Sequence, residues 1–162
     1  MIKPLSITAY DLAETFIGLH EVEGPSANPL ILWMLQSCYP GITDDVIPWC
    51  SSFPNAIHRM LRLPRTNSLR ARSWLAEGRV INIDEAERGF DLVILTRGPY
   101  LQPGPSVIEA PGHVGYFHSY DENLKLIYLL GGNQNDAVNV TKFDYAEMWP
   151  KGRILGIRRL HE

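Results

Sequence analysis

Two residues of this sequence, Cys50 and His113, have the chemistry of a nucleophile and its base. Cys50 follows Pro48-Trp49 and precedes Ser51-Ser52, at the predicted start of a helix. The partial positive charge at a helix start favours a thiolate and lowers the pKa of a thiol, as a cysteine nucleophile near neutral pH requires. His113 opens a predicted strand, and an imidazole can accept the thiol proton and later return it to a leaving amine.

A third polar residue is needed to hold the imidazole in one tautomer and orientation. Asn133 is the candidate, because it follows the strand predicted to pair with the strand of His113. The glycines and amides of segment 131–135 are equally typical of a polar turn, and the residues alone favour the turn. Cys38, the second cysteine, lies on an apolar helical segment and is predicted to be a small buried hydrophobe.

The elements that position these residues divide the chain into a helical first half and a strand-rich second half. Helices are predicted over 8–19, 29–38, 50–61 and 68–77. Strands are predicted over 80–83, 92–95, 113–117, 126–130, 138–140 and 154–157. The third and fourth strands are predicted to form a hairpin. Helices followed by a run of strands indicate an α+β domain with an antiparallel sheet.

The segment 97–112 is the least regular part of the chain. It contains four prolines and immediately precedes His113. A loop of this length is either disordered or a binding loop, and its position before a candidate catalytic residue favours a binding loop.

Composition limits the class of protein. The 162 residues are 45% hydrophobic, which predicts one domain spanning 1–162. The net charge of −3 argues against a nucleic-acid-binding protein. The N-terminus has no basic segment followed by an apolar run, and no apolar stretch is long enough to span a bilayer. The chain is therefore expected to be made in the cytoplasm, without stable membrane insertion, and a monomer is the default expectation.

Together with their flanking motifs, these residues resemble the CHAP group of cysteine, histidine-dependent amidohydrolases/peptidases within the NlpC-type papain-like superfamily. The most similar branch contains small phage-associated proteins. The resemblance covers nearly the whole chain and is carried by motifs in a fixed order: Glu21-x-x-Gly24, Asn28-Pro29, Asp45-x-x-Pro48-Trp49-Cys50-Ser51-Ser52-Phe53, Ala71-Arg72-Ser73-Trp74-Leu75, Gly112-His113-Val114-Gly115-Tyr116-Phe117, Leu130-Gly131-Gly132-Asn133-Gln134-Asn135 and Gly156-Ile157-Arg158.

The resemblance implies a papain-like CHAP fold, with N-terminal helices packed on a C-terminal antiparallel β-sheet. It implies a peptidoglycan hydrolase with Cys50 as nucleophile, His113 as base and Asn133 as orienting group, using no metal or other cofactor. The expected substrate is an amide bond of bacterial peptidoglycan, either between sugar and stem peptide or within the peptides. The residues expected to bind the substrate are Trp49, Tyr116 and Gln134.

The expected biological role is that of a phage endolysin that reaches the cell wall or periplasm after holin release. Three alternatives stay open: a secreted antibacterial amidase toxin, a non-catalytic domain that binds cell-wall peptides, and a metal site built from Cys50, His113 and carboxylates. One departure from the family pattern is Pro54, which would bend the helix after Cys50 unless it falls in the first turn.

Overall fold

The computed structural model describes residues 5–24, 26–98 and 102–160. In this part of the chain, three α-helices precede six strands: α1 (Ala9–Glu14), α2 (Pro29–Gln36), α3 (Ser52–Leu61), β1 (Arg79–Val80), β2 (Asp91–Thr96), β3 (Gly112–Asp121), β4 (Leu126–Gly131), β5 (Asn139–Phe143) and β6 (Ile154–Arg159). The strands form one sheet in the order β1-β6-β2-β3-β4-β5, and all the pairs are antiparallel. The predicted α+β class is therefore confirmed. None of the helices in the described ranges is both long and apolar enough to cross a membrane.

The helices cover one face of the sheet, and the alternation of side chains along the strands determines which residues meet them. In β2, Leu92 and Ile94 join the core beneath the helices, whereas Val93 and Leu95 belong to a second apolar cluster on the other face. Because β3 lies beside β2, its residues divide between the two faces in the same way. The two faces of β3 therefore have different neighbours, and His113 lies on the face away from the helices, against the ring of Phe143.

The helix predicted after Cys50 is confirmed as α3. It begins at Ser52, so Pro54 falls in its first turn, where a backbone N–H has no partner within the helix. The proline consequently removes no helical hydrogen bond. Asn55 holds this end of the helix in place, since its side-chain NH₂ donates to the Ser51 carbonyl and its oxygen accepts from the Asn67 N–H.

Three predicted elements differ from the structure. The helix predicted over 8–19 ends at Glu14 and continues as turns, while the segment 68–77 contains a 3₁₀ helix over Ala71–Ala76 instead of an α-helix. Of the strand predicted over 80–83, only Val80 belongs to β1, although the N–H of Ile81 also donates to the Ile157 carbonyl. The 3₁₀ segment is fixed by a tertiary contact, because the indole N–H of Trp74 donates to the hydroxyl of Ser51, and such a contact is not encoded in local propensity.

The loop before His113 is held by a buried cation. Arg72 is fully buried, and its guanidinium donates four hydrogen bonds of 2.8–3.2 Å to backbone carbonyls. The acceptors are the carbonyls of Pro103, Gly104, Val107 and Pro111. Within its described part, the 97–112 segment has no helix, and its only strand residue is Gly112. Residues 99–101, including the predicted loop residue Pro99, lie outside the described ranges.

Candidate active site

Cys50 lies where the chain entering α3 meets the ends of β3 and β4. The pairing of these strands ends at Tyr116 and Leu130, so β3 extends further towards its start without a partner on that side. The backbone N–H of Val114 lies against the Cys50 sulfur, together with the N–H groups of Ser51 and of Cys50 itself. Because Val114 follows His113, the thiol is brought to the part of β3 that carries the predicted base.

The side chain of Trp49 fixes this approach. It is fully buried, and its indole N–H donates to Glu21 Oε1 at 2.7 Å. Its ring packs so closely on Gly132, just after β4, that a Cβ at position 132 would lie 2.5 Å from a ring carbon. Any larger residue at this position would displace Trp49, and the neighbouring Cys50 with it.

Trp49 and Tyr116 are packing residues, which corrects the prediction that they bind the substrate. Trp49 has 0% and Tyr116 has 2% of its surface exposed. Tyr116 stacks on His58 and meets Phe53 edge-on in the core beneath the helices, and its burial raises the pKa of the Tyr116 phenol well above 10. The reason is the alternation along β3, which turns this position towards the helices.

His113 is oriented by Gln134. The imidazole Nε2 and Gln134 Oε1 are 2.9 Å apart, inside the protein. The amide nitrogen of Gln134 faces the backbone carbonyls of Leu129 and Asn139, at 3.1 and 2.7 Å, and a carbonyl can only accept. The amide oxygen must therefore face His113, so Nε2 carries the proton. In the neutral ring Nδ1 is then the basic nitrogen.

A second layer of polar groups holds Gln134 itself. The side-chain NH₂ of Asn139 donates to the Gln134 carbonyl at 2.7 Å, and Asn139 Oδ1 accepts from the Gln134 amide at 3.1 Å. Asn139 Oδ1 also accepts a hydrogen bond from the hydroxyl of Thr141. The orientation of His113 thus depends on a connected network that runs back to β5.

Asn133 lies in the same turn but does not make the contact that the sequence assigned to it. It lines the neighbouring pocket, whereas Gln134 accepts the hydrogen bond from His113. Residues 133, 135 and 136 all have left-handed backbone conformations, with φ of 55°, 53° and 58°. This irregular turn, together with the Asn139 contacts, turns the side chain of Gln134 inwards. Gln134, which the resemblance predicts to bind the substrate, thus contacts the side chain of His113.

The Cys50 thiol and the His113 imidazole are both neutral at pH 7. Burial raises the pKa of the Cys50 thiol above its ordinary value, although Arg97 and the three N–H groups act in the opposite direction. This corrects the expectation of a thiol whose pKa is lowered by the helix start, because loss of solvent outweighs the effect of the N–H groups. Burial also lowers the pKa of His113 to about 4, against a hydrogen bond with Gln134 that raises it.

A cavity of about 240 Å³ opens beside His113. Its described lining residues are Thr96, Arg97, His113, Asn133, Gln134, Asn135, Thr141, Phe143 and Arg153. Sequence reasoning missed Arg97, Thr141, Phe143 and Arg153, because no motif marks them. Within the described ranges, no three side chains among His, Cys, Asp and Glu come together as metal ligands.

The low pKa of His113 predicts that the protein loses stability in acid. The unfolded chain binds a proton at about 6.5 and the folded chain only at about 4, so His113 protonates preferentially in the unfolded state between these values. Its contribution is fully present above pH 6.5 and is lost as the pH falls through 4. This difference corresponds to roughly 3 kcal/mol of unfolding free energy.

Urea unfolding at a series of pH values measures this effect. The His113→Gln variant should lack this part of the pH dependence, whereas His20→Gln, which replaces an exposed histidine, should retain it. Equal acid sensitivity in all three proteins would contradict a buried neutral His113.

Comparisons with known proteins add little to this geometry. No protein-family model matches the sequence, and no curated protein matches it. Among solved structures, the chain is similar to NlpC1 from Trichomonas vaginalis, with 13% identity and a TM-score of 0.46. The match covers 98% of this chain but 46% of NlpC1, so this chain spans less than half the length of that protein. At this level of similarity the match carries no argument about function, which has to be inferred from the site.

Proposed function

We propose that this chain is a cysteine hydrolase of the CHAP type that cleaves an amide bond of peptidoglycan. Cys50 is the nucleophile, His113 is the base, and Gln134 holds the base in position. The observation that carries this proposal is the hydrogen bond from His113 Nε2 to Gln134, which leaves a basic Nδ1 on the strand that meets the Cys50 sulfur. The choice of peptidoglycan as the substrate rests on the sequence motifs that resemble those of the CHAP group.

The reaction begins from the neutral pair. As the Cys50 sulfur attacks the carbonyl carbon of the amide, its proton passes to His113 Nδ1, and the carbonyl oxygen gains the negative charge. Backbone N–H groups at the approach to α3, including that of Cys50, stabilise this oxyanion. Because imidazolium is disfavoured in this buried site, the hydrogen bond from Nε2 to Gln134 matters most while His113 carries two protons.

The second half of the reaction returns the site to its starting state. The tetrahedral intermediate collapses, the carbon–nitrogen bond breaks, and the amine leaves with the proton from His113. Water then attacks the thioester while His113 accepts its proton, and the thiol is restored as the carboxylic acid leaves. The cycle consumes one water for each amide and requires no redox partner.

The test is digestion of purified sacculi in water enriched in ¹⁸O, with the released fragments analysed by mass spectrometry. The proposal expects new amino groups and new carboxylates that carry one ¹⁸O atom for each bond cut. Termini at the sugar–peptide junction would identify an amidase, and termini within the peptides would identify an endopeptidase. Sacculi of several chemotypes that all release nothing, or fragments with cut glycan chains, would overturn the peptidoglycan assignment.

Alkylation provides the matched control for the role of Cys50. Iodoacetamide should inactivate the wild type and the Cys38→Ala variant equally, because Cys38 is not among the described residues that line the pocket. Protection of activity in the Cys38→Ala variant would instead attribute the inactivation to Cys38.

Replacing Gln134 should affect both the rate and its pH dependence. Gln134→Ala removes the acceptor for Nε2 and should lower kcat by about 10- to 100-fold, in the range for loss of one oriented hydrogen bond to a charged group. Gln134→Glu should raise the pKa of His113, because a carboxylate stabilises the imidazolium, and the acid limb of the rate profile should move to higher pH.

The neighbouring Asn133→Ala variant is the control for this prediction. It removes a side chain that lines the pocket without contacting His113, so the acid limb should stay in place. A larger shift in Asn133→Ala than in the Gln134 variants would return the orienting role to Asn133.

One observation favours a second function, that of a non-catalytic domain that binds cell-wall peptides. Only 3% of the Cys50 surface is exposed, and burial raises the pKa of its thiol. Such a domain would bind muropeptides but would release no fragments from sacculi, and its Cys50 would resist alkylation.

The proposed biological role is lysis of a bacterial host by a phage, with a secreted antibacterial amidase as the alternative. Both roles require that the protein reaches the wall from the cytoplasm of the cell that makes it. Expression in a bacterium should be harmless in the cytoplasm and lytic when a holin is co-expressed or when the protein is directed to the periplasm. An adjacent gene whose product neutralises the activity would favour the toxin.

A further inference from the structure

Two arginines flank the pocket beside His113, and sheet topology places them there. Arg97 directly follows β2 and Arg153 directly precedes β6. These strands are antiparallel neighbours, with Leu95 paired to Ile154, so the end of one meets the start of the other. His113 joins them because Leu95 is also paired with it across β2 and β3. Three separate segments of sequence thus bring two cations and the proposed base together where β2 ends and where β3 and β6 begin.

The protein leaves much of this positive charge uncompensated. Among the described residues, Arg97 takes part in none of the ion pairs, in contrast to Arg88, which pairs with Glu14 at 2.8 Å. Within the described ranges, the guanidinium of Arg153 makes two contacts, both at 3.3 Å: an ion pair with the exposed Asp144 and a hydrogen bond to the Thr96 carbonyl. The described lining of the pocket contains no carboxylate.

The charge of Arg97 acts on the reacting groups themselves. It lowers the pKa of the Cys50 thiol against the larger effect of burial, and it helps to lower the pKa of His113. Since Thr96 pairs with Gly112, which directly precedes His113, an anion bound by Arg97 would lie close to the amide under attack. The amide and hydroxyl groups of Asn133, Asn135 and Thr96 in the same lining can bind the peptide groups beside it.

We propose that Arg97 and Arg153 bind a substrate carboxylate next to the scissile amide, which makes the substrate an acidic peptide. Guanidinium groups bind carboxylates through paired hydrogen bonds, and the pocket otherwise offers neutral polar groups. This inference rests on the proposed function, in which the stem peptides of peptidoglycan carry carboxylates close to their amide bonds. The inference adds that the enzyme selects an amide bond that has a carboxylate next to it.

The first experiment needs no knowledge of the natural substrate. Iodoacetate and iodoacetamide deliver a carboxylate or a neutral amide to the same thiol, and the rate of each at Cys50 is followed by mass spectrometry. Asp44 and Asp45 lie between the two cysteines, so cleavage at aspartate separates Cys50 from Cys38, which serves as an internal reference. Arg97→Gln should lower the iodoacetate/iodoacetamide rate ratio at Cys50 about tenfold, because it removes a charged hydrogen-bond donor.

The ratio separates carboxylate binding from a general effect on the thiol. If Arg97 only stabilised the thiolate, its removal would slow both reagents equally and leave the ratio unchanged. Lys142→Gln is the matched control, since it removes one positive charge from an exposed residue of β5 that lies between two lining residues without lining the pocket itself. This control should leave the ratio as in the wild type.

The second experiment measures binding without turnover. In the Cys50→Ala background, calorimetry compares a disaccharide–tripeptide with free carboxylates and the same compound with its carboxylates converted to amides. The free acid should bind about tenfold more tightly or better, and this preference should weaken with added salt and largely disappear in Arg97→Gln.

The outcomes distinguish this inference from the proposed function. Fragments released from sacculi together with an unchanged reagent ratio and equal binding of the two muropeptides would overturn the carboxylate site and leave the hydrolase intact. A ratio that depends on Arg97 in a protein that releases no fragments would support the site and refute the peptidoglycan assignment. If neither reagent modifies Cys50, the thiol is not reached from the pocket and both proposals fail.

Discussion

Replacing Cys50 by alanine is expected to lower kcat by at least about 10⁴-fold, since removal of a nucleophile ends the covalent pathway and leaves only binding and oxyanion stabilisation. The folded structure should persist, because the substitution removes one sulfur from a core that contains several larger side chains around it, among them Trp49 and Phe53. Fragment release from sacculi measures the loss of activity, and urea unfolding measures the retained stability.

Cys38→Ala is the control that isolates the nucleophile. Cys38 is half-buried just after α2, and burial raises the pKa of its thiol. It is therefore a second cysteine that does not belong to the candidate active site. Its replacement should leave kcat within about twofold, as for substitutions that touch no reacting group. Cys50→Ser would add a graded case, because an alcohol beside a neutral imidazole is a weaker nucleophile than a thiol. Residual activity near the wild-type level in Cys50→Ala would refute a covalent mechanism at this position.

Replacing Arg72 by methionine is expected to destabilise the protein by about 3 kcal/mol or more. Methionine fills a similar volume but leaves the four backbone carbonyls of the loop without their donor inside the protein. The loop leads directly into His113, so its release should also remove most of the activity. Arg72→Lys should recover only part of the loss, because an ammonium has three donors on a flexible stem and cannot match the planar guanidinium.

Urea unfolding gives the change in stability, and a glutamate-specific protease reports on the loop. Glu109 is exposed within the loop and should be cut much faster in Arg72→Met than in the wild type. Arg70→Met is the control, since Arg70 is exposed and its guanidinium donates to the Glu109 carbonyl at 3.3 Å, in place of the four hydrogen bonds of Arg72. The Arg70→Met substitution should lower the free energy of unfolding by less than about 1 kcal/mol. An Arg72→Met protein as stable and as resistant as the control would show that the loop is held by other contacts.

The two largest predictions concern different requirements of one site. Cys50 is the proposed nucleophile, while Arg72 holds the loop that leads into His113, the proposed base. The pH dependence of stability is a consequence of the same site, because the burial that keeps His113 neutral makes the folded state sensitive to acid.

The sequence by itself determined the elements that carry Cys50 and His113. The helix after Cys50 and the strand that contains His113 follow from local periodicity, capping and β-propensity, and both are present as α3 and β3. The hairpin of β3 and β4 is equally local, since a short turn joins its strands. These signals depend on neighbours within a few residues, which is why they can be read without a structure.

Only the tertiary structure decided which polar side chain forms a hydrogen bond with His113. Asn133 and Gln134 are adjacent amides, and the sequence contains no signal that selects one of them. The choice depends on left-handed backbone angles in the turn and on the contacts of Gln134 with Asn139, which come from a different strand. The contact that the family resemblance implies for Asn133 is therefore made by Gln134, because long-range packing that local propensity does not describe places its side chain against His113.

The charge and the burial of the site could likewise not be predicted from the sequence. The pKa of the Cys50 thiol was expected to fall because the helix start is visible in the sequence, but it rises because solvent is excluded, and exclusion depends on the whole core. Arg97 and Arg153 are 56 positions apart by their numbers, and they become neighbours only because β2 and β6 pair. Local sequence determines which elements form, whereas the electrostatics of a site arise from residues that only the assembled sheet brings together.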